Sequence, residues 1–435
     1  MKLSIFNLID EDNGELLVYN SLSGALVSFE PKYLKRMLKV FKQGAVDMIP
    51  KKFIIPLKED GFLIDIDLDE LDNINILVQR RINWTQSWHF SIMLNQSCNF
   101  KCPYCFQPRK QSFITPSVED RILKMIKLQC GQTKKITIDW YGGEPLLSFN
   151  LLRRLNKKIS DICSTEGVDY EICLTTNGYL LDDTVLKYLD DYKVSHLQIT
   201  LDAPIEYHNK SRILNNGEPT FDVILSNIQK AVDHGIHILV RANVTITNQD
   251  SSFEIYEILE KAGLKNKVEV TIRPVVSSGA NPCDSNCLTP TGFGEKMISH
   301  YYKAANNGWV VLPFVDNLQS MGYCVADYPT HAIIDPDGNL YKCGEAFSDA
   351  ENTGKIHKNG EIFWDKKRFD EFVNRNPLDQ KECVACGILP ICMGGCHMLR
   401  FWKHKMSCNE FKHNLNIFVK ILRLNQKNID DNTPV

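Results

Sequence analysis

The sequence predicts an α/β fold of parallel βαβ units flanked by two smaller regions. From about Phe90 to Val275 strand-like runs alternate with helix-like ones, the pattern of crossovers around a largely parallel sheet. On both sides the alternation stops. The first 80 or so residues read as a hairpin followed by helices, and after Val275 the chain breaks up into Gly, Pro and Cys. At 435 residues the chain exceeds what one core usually serves, and three regions are expected, 1–85, 86–280 and 281–435.

In the first region, ELLVY and ALVSF flank Asn20, Ser21, Ser23 and Gly24, a hairpin signal. Leu34, Leu38 and Phe41 then fall at helical spacing behind Pro31, and Gly44 closes the segment. Between Lys32 and Lys58 stand eight basic residues and one acidic residue, Asp47, and the acidic stretch DIDLDELDNIN that follows is expected to link to the next region. A basic run of this kind is usually a solvated face. In the second region FSIML, ITIDW, EICLTT, HLQITL, ILVRANVTI and VEVTIR read as six strands, with amphipathic segments such as VEDRILKMIKLQC and FDVILSNIQKAVDHG between them. Periodicity admits either an open sheet or a partial barrel. In the third region helices are expected around GFGEKMISHYYKAANNG and from Glu410 to Leu424.

Composition narrows the function classes. Hydrophobic residues make up 43% and charged residues 24%, and 50 basic against 53 acidic residues leave a formal charge of −3. That balance gives no electrostatic reason to bind nucleic acid. No apolar run approaches the roughly 20 residues that span a bilayer. At the amino terminus Asp10, Glu11 and Asp12 interrupt any secretory segment. A cytoplasmic protein without nucleic-acid or membrane partners is expected.

Fifteen cysteines are too many for structure alone in a reducing compartment, so their spacing is read as metal or redox chemistry. Cys98, Cys102 and Cys105 form the loop CNFKCPYC directly after the first strand of the alternating region. Three thiolates on one tight loop suit a compact inorganic cluster, and the missing fourth ligand would leave an open iron for a substrate or cofactor. A zinc knuckle borrowing a distant ligand, or inert core thiols, are the plainer alternatives. Cys130, Cys163 and Cys173 lie in helix-like and strand-like runs and are expected to be core thiols.

The CX3CX2C triplet, with YGGEP at Tyr141–Pro145 one strand downstream, resembles the radical S-adenosylmethionine (SAM) enzymes. TTNG at 175–178, LDAP at 201–204 and RANVT at 241–245 end the next strands. The resemblance implies a partial (β/α)6 TIM-like barrel in which Cys98, Cys102 and Cys105 hold a [4Fe–4S] cluster whose unique iron chelates SAM. It implies cofactor contacts from Tyr104, Gly142, Gly143, Glu144, Pro145, Thr175, Asn177, Asp202 and Asn243. Tyr104 would flank the adenine, and Glu144 would stand near the methionine ammonium. Ala203 departs from the glycine many relatives carry, and Asp202 reads almost as well as a strand-end or helix-cap carboxylate.

A second array runs from Cys324 through Gly338 and Cys343 to Cys383, Cys386, Cys392, Cys396 and Cys408. It resembles the SPASM domain, which holds two auxiliary [4Fe–4S] clusters, three clusters in all with the radical one. The resemblance implies Cys324, Cys343 and Cys396 for the first auxiliary cluster and Cys383, Cys386, Cys392 and Cys408 for the second. The first then needs another donor or keeps an open iron. Asp327, His331, Cys283 and Cys287 are candidates, as is a substrate thiolate.

SPASM-bearing relatives mostly act on peptides or proteins. The first region resembles, in pattern only, the winged-helix-like leader-recognition elements of peptide maturases. The expected activity is therefore hydrogen abstraction from a ribosomal precursor peptide and formation of a thioether or carbon–carbon crosslink. Partners would be a leader-bearing precursor and a low-potential donor such as flavodoxin or ferredoxin. The alternative is oxidation of a protein Cys or Ser to formylglycine. Against it, sulfatase maturases place an aspartate directly after the cysteine matching Cys343, where this chain has Gly344, with Glu345 one residue further. A GTP- or nucleoside-directed radical enzyme is a remote third reading, and a non-catalytic zinc or iron–sulfur scaffold is a different class altogether.

Overall fold

The computed structural model describes residues 1–107, 110–275, 286–311, 324–396, 398–399, 408 and 410–432. Internal packing divides the chain into two compact units. One comprises Met1–Arg80, Thr289–Cys324 and Asn376–Val435, and the other Arg81–Leu288 and Val325–Arg375. Among the described residues no helix is long and apolar enough to cross a membrane.

The first unit opens with β1 (Lys2–Leu3), β2 (Asn7–Asp12), β3 (Glu15–Asn20), β4 (Leu26–Phe29) and, later, β5 (Leu63–Ile64). The hairpin legible in the sequence is β3–β4, registered with Leu16 opposite Phe29 and Val18 opposite Val27. Leu16, Val18 and Phe29 pack against Met37 and Val40 of the helix Pro31–Gln43. Gly44 ends that helix in the left-handed conformation, φ 74°, which costs glycine little. β2 extends the sheet on its other side and was not legible, because its acids look like a loop. Glu11 pairs with Lys42 at 2.8 Å, whereas the countercharges of Asp10 and Asp12 come from the other end of the chain. In the helix Leu415–Asn432, Lys420 lies 3.6 Å from Asp10 and 3.5 Å from Asp12, and Arg423 pairs with Glu15 at 2.7 Å.

Two expectations are corrected in this unit. The acidic stretch expected as a linker begins the helix Glu70–Ile82, with Glu70 buried and accepting from Ser4 Oγ at 2.5 Å and the Ile5 amide at 2.8 Å. Acids in a first turn also suit the helix dipole. The closing helix, expected from Glu410 to Leu424, is a short 3-10 turn at Glu410–His413 followed by Leu415–Asn432. Its last turns were hidden by buried polar residues. Asn425 exchanges hydrogen bonds with the Val311 backbone at 2.9 Å, and Asn428 donates to Ala305 and Trp309 carbonyls.

The second unit contains β6 (Ser87–Met93), β7 (Lys135–Tyr141), β8 (Asp169–Thr176), β9 (His196–Thr200), β10 (Ile238–Val244) and β11 (Glu269–Pro274). These are the six strands read from the sequence, all parallel and adjacent in sequence order. A doubly wound sheet would reverse its strand order at a switch point; unreversed order is the winding of a barrel arc. β11 is an edge and does not pair with β6, so the arc is partial, an α/β partial (β/α)6 barrel. Along β7 buried and half-buried residues alternate. Trp140 turns outward, its indole donating to Asn156 of the helix Phe149–Glu166 at 3.3 Å, so Thr137, Asp139 and Tyr141 face the inside of the arc.

Beyond β6 the sheet continues through β12 (His331–Ile334), parallel to β6, and the antiparallel strands β13 (Asn339–Tyr341), β14 (Gly354–Ile356) and β15 (Ile362–Trp364). They lie in the region read from sequence only as cysteine-rich. Strands of three or four residues are too short to show a period.

Candidate active site

The loop carrying Cys98, Cys102 and Cys105 leaves the carboxyl end of β6 and is held by the turn that follows β7. The Gly143 amide donates to the Asn95 carbonyl at 2.9 Å, the Glu144 amide to the Ser97 carbonyl at 2.8 Å, and Asn95 Nδ2 to the Glu144 carbonyl at 3.0 Å. This contact explains the paired glycines. A Cβ on Gly142 would stand 2.4 Å from the Asn95 oxygen, and one on Gly143 only 2.1 Å from the Ser97 oxygen. Pro145 is buried and starts the 3-10 turn Pro145–Ser148.

All three cysteines of the triplet are half-buried. Burial pushes the Cys98 thiol up to about 12, and the charges of Glu144, Cys102 and Cys105 add to it, against the Phe100 amide. Cys102 and Cys105 therefore lie within electrostatic reach of Cys98. Among the described residues no three Cys, His, Asp or Glu side chains close on a single ion; a cubane instead spreads its cysteines over separate irons. Three soft thiolates on one loop, backed by a turn that only glycine fits, suit a three-cysteine [4Fe–4S] cluster.

The ends of the next strands converge on this loop. Glu144 is fully buried and accepts from Thr176 Oγ1 at 2.7 Å, the Asn177 amide at 2.8 Å and the Leu146 amide at 3.0 Å. Its carboxylate thus ties the β7 turn to the end of β8. Asn177 Nδ2 donates to Asn99 Oδ1 at 2.8 Å and reaches Cys98 Sγ at 3.9 Å, inside the triplet loop. Asp202, after β9, is fully buried and accepts from the Tyr104 hydroxyl and, at 2.8 Å, from the Asn243 amide near the end of β10. It is no helix cap, since Pro204 caps the helix Ile205–Ser211. Asn243 Oδ1 in turn accepts from Arg241 Nε at 3.0 Å.

Sequence reasoning missed Arg212. It is buried, donates to the Tyr104 hydroxyl at 3.2 Å and lies over the Phe100 ring at 5.5 Å. Tyr104, Asp202 and Arg212 form one buried charged group beside Cys102, whose field reaches both Tyr104 and Arg212. Nothing local marks Arg212 in SRILNNG; only the fold brings it to the triplet.

Inside the arc Asp139 also went unnoticed. Thr175 Oγ1 donates to it at 3.3 Å, and burial pushes its carboxyl from 3.8 up to about 7, against hydrogen bonds from Thr175 and Ser91. The folded protein then holds this proton more tightly than the unfolded chain, so stability is full below pH 3.8 and falls as pH rises from there to about 7. The loss is up to about 4 kcal/mol at about 1.36 kcal/mol per unit. Asp139→Asn is expected to flatten that slope in urea unfolding across this range; an unchanged slope would place the titration elsewhere.

Glu345 lies 3.7 Å from Arg241 in an ion pair, and Tyr141 feels Arg241, Cys105 and Glu345 together, which places Glu345 near the triplet. Asp327, a candidate donor for the first auxiliary centre, is fully buried and lies 3.6 Å from Arg375. His331 is buried edge-on to His89 at 5.2 Å. Cys287 is disulfide-bonded and so offers no thiolate, and Cys283 lies outside the described residues. Cys343 packs in the second unit with Ala326, Phe372 and Val373, while Cys324 and Cys396 are exposed residues of the first.

The four cysteines expected for the second auxiliary cluster share the first unit. Cys383 and Cys392 are buried, Cys386 and Cys408 half-buried. The Cys386 amide donates to the Cys383 carbonyl at 3.0 Å, and left-handed Met393, Gly394 and Gly395 turn the chain sharply after Cys392. Cys130 and Cys163 are buried core thiols with sulfurs 3.9 Å apart, and Cys173 is buried in β8.

Residues 92–262 match the Radical SAM superfamily. A serine-type anaerobic sulfatase-maturating enzyme of Klebsiella aerogenes is 22% identical over 329 residues, 70% of this chain and 78% of that protein. Radical SAM cyclopropyl synthase TigE of Paramaledivibacter caminithermalis is 20% identical over 434 residues, 90% of this chain and 88% of that protein. Among solved structures, Streptococcus suis SuiB bound to precursor peptide SuiA matches with a TM-score of 0.54 at 15% identity, over 94% of this chain and 98% of that one. At that identity the likeness is one of fold.

Proposed function

We propose that the chain, whose residues 92–262 match the Radical SAM superfamily, is an enzyme of that chemistry that matures a ribosomal precursor peptide by forming a thioether or carbon–carbon crosslink. The observation that carries this reading is the amino-terminal three-stranded sheet, whose edge strand β4 is followed directly by a helix rich in lysine and arginine. An unpaired edge accepts an extended peptide as an added strand, and basic residues beside it suit an acidic leader. The likeness to SuiB, solved with its precursor peptide, supports the same reading.

Cys98, Cys102 and Cys105 would hold the [4Fe–4S] cluster, and one-electron cleavage of SAM to a 5′-deoxyadenosyl radical is the chemistry that cluster and cofactor supply when bound. The residues of the chain orient and enclose it. Gly142 and Gly143 let backbone approach the cofactor, Glu144 and Pro145 hold that turn rigid, and Thr175, Asn177, Asp202 and Asn243 line the strand ends around it. Tyr104 would bound the adenine side, fixed by Asp202 and Arg212. Cys324, Cys343 and Cys396, and Cys383, Cys386, Cys392 and Cys408, would hold two auxiliary clusters. A flavodoxin or ferredoxin would supply electrons.

The test is anaerobic reconstitution with iron and sulfide, then SAM, dithionite and the short peptide encoded beside the gene. Loss of the mass of two hydrogens per crosslink, with 5′-deoxyadenosine released, is expected. SAM cleavage beside an unchanged peptide would remove peptide crosslinking as the activity. Oxidation of a protein Cys or Ser to formylglycine is the second reading, favoured by the place of Glu345 near Tyr141 and Cys105. A formylglycine mass on a sulfatase peptide would select it.

A further inference from the structure

Lys412 belongs to the short turn Glu410–His413, four residues beyond Cys408. Its ammonium donates to Cys408 Sγ at 3.5 Å and feels the charges of Cys386 and Cys383 as well as of Cys408. The turn is firmly seated. Phe411, beside it, is 1% exposed and stacks on Phe418 with ring centroids 5.1 Å apart, and Phe418 meets Tyr19 edge-on at 5.8 Å. Lys412 thus rises from a seated turn with its ammonium on the Cys408 sulfur and within electrostatic reach of two further cysteines.

We propose that Lys412 tunes the redox centre formed by Cys383, Cys386, Cys392 and Cys408, raising its reduction potential through a charge-assisted hydrogen bond to Cys408. The proposal rests on reading those four cysteines as the ligands of an auxiliary cluster. Reduction adds negative charge to a thiolate-bound cluster, and potentials of such clusters respond to nearby charge, hydrogen bonds to sulfur and solvent exposure. A fixed cation in contact with a ligand sulfur stabilises the reduced state more than the oxidised one. Lys412 would then help this centre accept an electron during turnover.

The test is a redox titration of the full-length reconstituted protein, followed by electron paramagnetic resonance, with iron per chain measured alongside. Cys408→Ala identifies the signal that belongs to this centre. Lys412→Met and Lys412→Gln are expected to keep the iron content and to move the midpoint of that signal to lower potential, and Lys412→Arg to hold it near the wild-type value. A midpoint unchanged in the Met and Gln variants, or lowered as much by Arg as by Met, overturns the proposal. So does loss of iron in both neutral variants but not in Arg, which makes Lys412 an assembly residue. If Cys408→Ala removes no cluster signal, the ligand reading itself has failed, a result distinct from an unmoved midpoint.

Discussion

Gly143→Ala is expected to strip the radical cluster from the protein and abolish SAM cleavage. The added methyl would stand 2.1 Å from the Ser97 oxygen and 2.6 Å from its carbonyl carbon. Both are backbone atoms, so no side chain can rotate away to make room. The β7 turn and the triplet loop must part, breaking the bonds from Gly143 and Glu144 amides to Asn95 and Ser97. Overpacking of this kind costs about 3 kcal/mol, and two strained or lost hydrogen bonds add about 1 kcal/mol each. Iron per chain, thermal unfolding and 5′-deoxyadenosine release should all fall together. Full iron with normal unfolding in Gly143→Ala would show that the triplet loop does not depend on this turn. Gly131 serves as a control, since its Cβ would meet only the Leu128 carbonyl at 3.6 Å.

Arg212→Met is expected to destabilise the barrel unit by about 3 kcal/mol, the usual cost of leaving a buried charge uncompensated. Asp202 is fully buried with Tyr104 on its carboxylate, and the Arg212 charge counters the desolvation that raises its proton affinity. With Arg212 gone, Asp202→Asn should recover part of the loss, because the neutral amide needs no cation. The double-mutant cycle in urea reads this directly. Additive losses would mean that the two charges do not interact.

The parts of the site that could be read beforehand are those whose chemistry is local in the chain. Three cysteines within eight residues must share one loop, and a Gly-Gly-Glu-Pro turn after a strand must sit at that strand's end. Asn177 and Asp202 were named for their positions after strands, and the fold brings Asn177 to Cys98 and Asp202 to Tyr104. Their partners were not readable. Asn95, Asn99 and Arg212 are ordinary residues in their own segments and acquire a role only across strand ends. Glu144 was expected beside an ammonium, and it ties β7 to β8 through Thr176 and Asn177.

The six strands β6–β11, the hairpin β3–β4 and the helix behind Pro31 were determined by the sequence itself, because alternating burial and turn chemistry act over a few residues. The periodicity of the six strands admits an open sheet and an arc alike, with the arc implied only by resemblance, and only the tertiary structure decided that β12–β15 prolong it and that β2 belongs to a sheet. The physical reason is the same in each case. β12 gains its place by pairing with β6, more than two hundred residues away, and Asp10 and Asp12 of β2 gain theirs from Lys420 and Arg423 near the other end of the chain. Such stabilisation comes from partners that no local window contains.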